Sequence, residues 1–271
     1  MIVFPNVKIN LGLKILRKRE DGYHDLETVY IPAGFCDILE IIPARKRDSF
    51  SQSGIPLHLQ PGENLVMQVV NTLRNQYSFP PVSIYLHKRI PPGSGLGGGS
   101  ADAAFTLILL NRIFRLNIDR DRLSRIAMET GSDCPFFLIN HPVFASGRGE
   151  SMTPLKPIHG RFHLKIIIPP FSITTAEAYR LITPNPHDPP PASVYRLPLE
   201  KWKGNLINRF EKVICKEYPM LREIITRLYE RGAIYAALSG SGSAVYGIYK
   251  KDPGTFPGIQ EWLVWSGEIN L

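Results

Sequence analysis

Pro91-Pro92-Gly93-Ser94-Gly95-Leu96-Gly97-Gly98-Gly99-Ser100-Ala101-Asp102-Ala103-Ala104 places five glycines within seven positions and runs straight into a helix-forming segment. A backbone without Cβ atoms can bring its N–H groups close to a ligand. The segment that follows, Ala103 to Phe114, carries apolar residues at Leu107, Leu110 and Phe114 and favours a helix. A glycine loop feeding a helix N-terminus sets unpaired N–H groups at the positive end of the helix dipole. Such a site suits an anion, above all a phosphate. A side chain at Gly97 or Gly98 is expected to intrude on the space the phosphates need.

Two familiar phosphate loops fail on inspection. A Walker A loop carries a lysine after its last glycine, whereas Ser100 follows Gly99 here. Gly93, Gly95 and Gly98 satisfy the dinucleotide spacing, and Asp119 lies where a ribose-binding acid is expected. Yet Ile90-Pro91-Pro92 is a poor end for a buried parallel strand, and Asp119 stands in a polar stretch that enters a helix. The dinucleotide reading is weak.

Working outward, Val7, Ile9, Leu11, Leu13 and Ile15 alternate with Lys8, Asn10, Gly12 and Lys14, which predicts a half-buried strand with Lys8 and Asn10 on one face. Residues 37–42, 82–88 and 162–168 also read as strands, and 64–77 and 121–129 as helices, the latter ended by Gly131. The stretch 183–198 carries six prolines and reads as a loop. Helices are expected over 199–217 and 219–230, then strand, glycine turn and strand over 233–249. This mixed order argues an α+β chain with a boundary near 153–159, giving an N-terminal domain 1–155 with the phosphate loop and a C-terminal α+β domain 156–271.

Composition narrows the function classes. Hydrophobic residues make up 44% of 271, enough for a large core, and no apolar run approaches the roughly 18 residues of a membrane span. Lys8 and Asn10 come too early for a signal peptide, and Cys36, Cys134 and Cys215 lack metal-ligand spacing, so a cytoplasmic protein with buried thiols is expected. The net charge of +8 suits nucleic acid, an acidic membrane or polyphosphate ligands. Its densest basic run, Lys14 to Arg19, has no interleaved aromatics and reads as a solvated hairpin rim.

Residues 91–101 resemble the P-x-x-x-G-L-G-S-S-A loop of the galacto-, homoserine, mevalonate and phosphomevalonate kinases. The opening Pro5-Asn6-Val7-Lys8-Ile9-Asn10-Leu11-Gly12-Leu13, the segment Arg19-Glu20-Asp21-Gly22-Tyr23-His24, and Gly131-Ser132-Asp133-Cys134-Pro135 narrow the resemblance. So do Ala145-Ser146-Gly147-Arg148-Gly149-Glu150 and Leu238-Ser239-Gly240-Ser241-Gly242-Ser243. Together they are similar to the family of 4-diphosphocytidyl-2-C-methyl-D-erythritol kinases over effectively the full chain. Residues 184–198 carry no family motif.

The resemblance implies a two-domain small-molecule kinase fold with its active site in the cleft between domains. It also implies ATP as phosphoryl donor, Mg2+, and a cytidine-diphosphate-linked polyol as acceptor in non-mevalonate isoprenoid biosynthesis. It implies no nucleic-acid or membrane partner, and the chain is expected as a monomer or weak homodimer. Lys8 and Asp133 take the catalytic places. Pro91, Pro92, Gly93, Ser94, Gly95, Leu96, Gly97, Gly98, Gly99, Ser100, Ala101 and Asn64 fall to ATP. Asn10, Tyr23, His24, Tyr179, Gly240 and Ser241 fall to the acceptor, with Tyr23 and His24 at the cytosine and Tyr179 as a second aromatic wall. Metal ligands stay open. Each assignment has a plainer alternative: an exposed strand lysine for Lys8, a turn or helix cap for Asp133, an N-cap for Asn64, core packing for Tyr179, and a tight hairpin for the late glycine motif. A homoserine- or mevalonate-type acceptor on the same fold, and a nucleotide- or nucleic-acid-binding protein without catalysis, are the competing functions.

Overall fold

The computed structural model describes residues 1–57, 62–256, 258 and 262–271. In chain order the elements begin with β1 (Ile2–Val3), β2 (Asn6–Lys18), β3 (His24–Cys36), β4 (Ile38–Pro43), β5 (Ser49–Gly54), α1 (Leu65–Arg74) and β6 (Val82–Lys88). Next come α2 (Gly98–Ile113), α3 (Arg120–Thr130), α4 (Cys134–Ile139), β7 (Val143–Gly147), β8 (Ser151–Pro154) and β9 (Phe162–Ile168). The chain closes with α5 (Thr175–Leu181), α6 (Pro191–Tyr195), α7 (Arg209–Glu217), α8 (Pro219–Glu230), β10 (Tyr235–Leu238), β11 (Val245–Tyr249) and β12 (Leu263–Ile269). The architecture is α+β.

The first compact unit comprises residues 1–7, 35–92 and 97–140. Its sheet runs β1-β4-β6-β5, antiparallel except for the β5–β6 pair. Val82, Ile84 and Leu86 alternate inward along β6, in register with Leu39 and Ile41 of β4. Helix α2 is apolar nearly all round, with Ala101, Ala103, Ala104, Leu107, Leu109 and Leu110 all buried. It therefore forms the centre of this unit, packed by α1, α3, α4 and β4.

The second unit comprises residues 8–34, 93–96 and 141–271. It holds two sheets, β2-β3-β7-β8 and β10-β11-β9-β12. Leu13 and Ile15 of β2 share a core with Phe210 and Ile214 of α7 and with Leu221, Ile224 and Leu228 of α8. The compact units divide the chain differently from a cut at 155/156: β2 and β3 contribute Leu13, Ile15 and Leu26 to the core shared with α7 and α8, and β7 and β8 continue their sheet.

Three local expectations need correction. Strand β2 is buried on both faces from Val7 to Leu13, so its polar residues are enclosed rather than half exposed. The helix expected over 199–217 is a single 3-10 turn, Leu199–Lys201, followed by α7. Gly204 at φ +81° lies between them, and Asn208 starts the second helix with a side-chain cap. The proline-rich stretch contains α6, because Pro191 fits a first helical turn and Val194 and Tyr195 are buried.

Candidate active site

The residues expected at the nucleotide gather around α2. Its N-cap is Gly97 at φ +75°, and no side chain caps it. The neighbouring α1 and α3 are capped by Asn64 and Asp119, whose side-chain oxygens take the first N–H groups. The capping role of Asp119 removes what remained of the dinucleotide reading. Gly99 is exposed at the first turn of α2, and a Cβ there would lie 3.8 Å from Leu65 Cδ1, so the starts of α1 and α2 are neighbours. Asn64 precedes Leu65 and spends its Oδ1 on the Val66 and Met67 N–H groups, at 3.0 and 3.3 Å. Only its amide group is left for a nucleotide.

Gly98 departs from expectation. It is buried, and a Cβ there would meet Ile90 Cγ2 at 2.7 Å and Lys88 Nζ at 3.1 Å, so a side chain at this position would point into the interior. Ala101 is likewise buried. The exposed part of the loop is Pro92, Gly93 and Gly99, with Gly97 and Ser100 half-buried. Ser100 hydrogen-bonds the Cys134 thiol, which burial pushes up to about 12. Asp133, immediately before Cys134, stands at the start of α4 without capping it. The first turn of α2 and Asp133 are thus brought together by the Ser100–Cys134 contact.

Lys8 and Asn10, expected at the transferring group and the acceptor, lie on β2. Lys8 is 5% exposed, and its Nζ donates to Asn10 Oδ1 at 2.7 Å and lies 4.8 Å from the Tyr30 ring centre. An exposed strand lysine is excluded. Asn10 Nδ2 donates to Thr28 Oγ1 at 3.0 Å, and Thr28 in turn donates to the Gly12 carbonyl. The Lys8 N–H donates to the Leu96 carbonyl at 3.0 Å, tying the glycine loop to the strand. Gly95, at φ +78°, packs backbone to backbone against Ser239 and Gly242. Ser239 Oγ donates to the Gly95 carbonyl, and the Ala244 N–H to Ser94. A Cβ on Gly240 would lie 3.3 Å from Asn10 Oδ1. Both glycine motifs therefore converge on Lys8 and Asn10, so the late motif does more than close a hairpin.

Of the three aromatic residues expected at a base, the structure pairs two. His24 and Tyr179 stack with centroids 4.6 Å apart at 23°, and Tyr179 sets its ring edge-on to Phe210 at 5.0 Å. Burial, then the charge of Lys18, pulls the His24 imidazole below its ordinary range, favouring the neutral ring. Tyr23 is not in this stack. It is 54% exposed, with the Arg148 guanidinium 4.6 Å from its ring centre.

Two buried features escaped sequence reasoning. Lys88 Nζ, at the end of β6, binds Asp37 Oδ2 at 2.5 Å and Asp102 Oδ2 at 2.7 Å. Asp37 Oδ1 gathers the Arg89 and Ile90 N–H groups, so the cluster joins the strand exit to the second turn of α2. One ammonium serves two carboxylates: Lys88 is held protonated, while burial pushes Asp102 up to about 7. The second feature is Asn208, which binds the late glycine loop. A polar residue inside an apolar strand end was the available signal for Lys88, and an Asn before an amphipathic helix for Asn208.

A glycine loop feeding an uncapped helix start, and a buried strand lysine, are features the small-molecule kinases share, and family models place the chain among them. Residues 64–141 match the GHMP kinases N terminal domain, and 199–255 the GHMP kinases C terminal. The chain is 43% identical over 273 residues to a 4-diphosphocytidyl-2-C-methyl-D-erythritol kinase of Parabacteroides distasonis, covering 100% of each. It is 46% identical to the enzyme of that name from Azobacteroides pseudotrichonymphae, over 93% of this chain and 94% of the relative. A crystal structure of 4-(cytidine 5'-diphospho)-2C-methyl-D-erythritol kinase superposes with a TM-score of 0.81 at 29% identity, covering 100% of this chain and 99% of the other. The chain belongs to the 4-diphosphocytidyl-2-C-methyl-D-erythritol kinase family. Among the described residues, no helix is long and apolar enough to cross a membrane.

Proposed function

We propose that the chain transfers the γ-phosphoryl group of ATP to a hydroxyl of 4-diphosphocytidyl-2-C-methyl-D-erythritol, giving the 2-phosphate and ADP in non-mevalonate isoprenoid biosynthesis. The observation that carries this reading is the buried Lys8–Asn10 pair, whose strand is hydrogen-bonded to the glycine loop through the Lys8 N–H and Leu96 carbonyl. In this reading the loop and the first turn of α2 take the phosphates. The acceptor oxygen attacks the γ-phosphorus as the bond to ADP breaks, and Asp133 accepts the hydroxyl proton or holds the hydroxyl in line. Lys8 offsets the negative charge on the transferring group. Asn10 orients the acceptor, the Gly240–Ser241 loop flanks its diphosphate, and Tyr23, His24 and Tyr179 receive cytosine.

Mg2+ would be held chiefly by the triphosphate oxygens and would supply compensation of their charge. Among the described residues no three His, Cys, Asp or Glu converge into a cage, and no step is assigned to the ion. A cytoplasmic setting accords with three free cysteines, two of them buried. The test is ATP consumption measured separately with the cytidylyl-erythritol, mevalonate and homoserine. Turnover with the first alone is expected, and preference for either of the others overturns the reading.

A further inference from the structure

Asn208 is 3% exposed and commits its whole side chain to backbone groups. Oδ1 accepts the Phe210 N–H at 3.0 Å and so caps α7. Nδ2 donates to the carbonyls of Leu238 and Gly240, each at 2.8 Å. Capping needs only the oxygen. The two amide donors serve a different segment, the glycine loop 30 to 32 residues further on. Strand β2 meets the same point, since Leu13 bridges Asn208 and its N–H donates to the Ile207 carbonyl at 2.8 Å.

The consequence is directional. The Gly240–Ser241 peptide is trans, and a trans peptide points its carbonyl and its N–H to opposite sides. Holding the Gly240 carbonyl on Asn208 therefore turns the Ser241 N–H away from Asn208. Gly240 has φ +56°, a conformation open to glycine, and its backbone lies against Asn10 and Gly95. A phosphate accepts from an N–H and is repelled by a carbonyl, so the facing of this one peptide decides whether the loop attracts or rejects a diphosphate. We propose that Asn208 is a positioning residue for the acceptor: it fixes the Gly240–Ser241 peptide so that its N–H, and not its carbonyl, meets the acceptor's diphosphate. This rests on the reading that the late glycine loop flanks the acceptor.

Asn208→Asp and Asn208→Ser both keep a capping oxygen and remove the amide donors. Michaelis constants for the cytidylyl-erythritol and for ATP, turnover, and melting temperature are measured on both variants and on Ser241→Glu. The acceptor constant should rise about tenfold in each Asn208 variant, the effect of one charge-assisted hydrogen bond, with the ATP constant within about twofold of the parent. A parallel rise in both constants with a lower melting temperature shows a structural role only and overturns the proposal. Should Asn208→Asp not fold, Asn208→Ser carries the comparison. If Ser241→Glu raises the acceptor constant while the Asn208 variants leave it unchanged, Asn208 is not the positioning residue, though the loop reading stands. If Ser241→Glu also leaves it unchanged, the loop does not touch the acceptor and both readings fall.

Discussion

Valine placed at two adjacent glycines of the phosphate loop separates folding from nucleotide binding. In Gly98→Val the new Cβ comes within 2.7 Å of Ile90 Cγ2 and 3.0 Å of Ile90 Cβ, and Ile90 is itself fully buried. Overpacking of this kind costs about 1–3 kcal/mol. For a chain of this size that lowers the melting temperature by roughly 2–4 °C per kcal/mol. Gly99 differs in every relevant respect. It is exposed, has no positive φ, and a Cβ there lies 3.8 Å from its nearest neighbour, Leu65 Cδ1. Gly99→Val should therefore change stability by no more than about 0.5 kcal/mol. Its branched side chain would stand over the first N–H groups of α2 and weaken ATP binding by about tenfold or more, equivalent to roughly 1.4 kcal/mol. Calorimetric titration with MgATP and thermal denaturation of both variants give the two readouts. Wild-type affinity in folded Gly99→Val would show that this turn is not the cradle. A wild-type melting temperature in Gly98→Val would refute the inward packing.

The other expectations concern chemistry, base recognition and pH. Asp133→Asn and Lys8→Ala should each lower single-turnover rates by on the order of a hundredfold, and near-normal turnover in Asp133→Asn removes it from the proton-transfer role. Lys8→Ala should in addition lose about 1–3 kcal/mol in urea unfolding, because Asn10 Oδ1 is left buried without its ammonium donor. Tyr179→Ala should raise the Michaelis constant for the cytidylyl acceptor and not for ATP, on the scale of about 1–3 kcal/mol for a lost ring–base stack. Tyr23→Ala, whose ring stands outside the His24–Tyr179 pair, tests whether the base uses both rings; equal rises for both substrates would retire the cytosine pocket. Asp102 has an ordinary value of 3.8 and is pushed up to about 7 in the fold, so between those values the folded chain keeps a proton that the unfolded chain releases. Its contribution to stability therefore declines as pH rises through that window. Asp102→Asn should gain stability relative to the parent from pH 5 to pH 8 in denaturant unfolding, and an identical pH dependence would contradict the assigned protonation.

What could be read from residue order was whatever local chemistry encodes. The glycine run before an alanine-rich segment specified a loop and an uncapped helix start, and the composition of residues 82–88 and of 162–168, the latter closed by Pro169-Pro170, specified their strands to the residue. Asn64 and Asp119 announced helix starts because a cap acts on the next two or three N–H groups, a distance that sequence spacing measures directly. The spaced motifs were enough to point to the kinase family. The tertiary structure decided which partners those residues have across the chain. Alternation along β2 separates two faces but cannot say that both are covered, so the burial of Lys8 and its bond to Asn10 were not legible. A glycine has no side chain to betray its direction, and only packing shows that Gly98 faces Ile90, Gly95 faces Ser239, and Gly99 faces outward. Lys88 lies 51 residues from Asp37 and 14 from Asp102, and Asn208 lies 32 from Gly240. Pairs so far apart meet only when their elements pack, because periodicity records a residue's own element and carries no information about the element it will face.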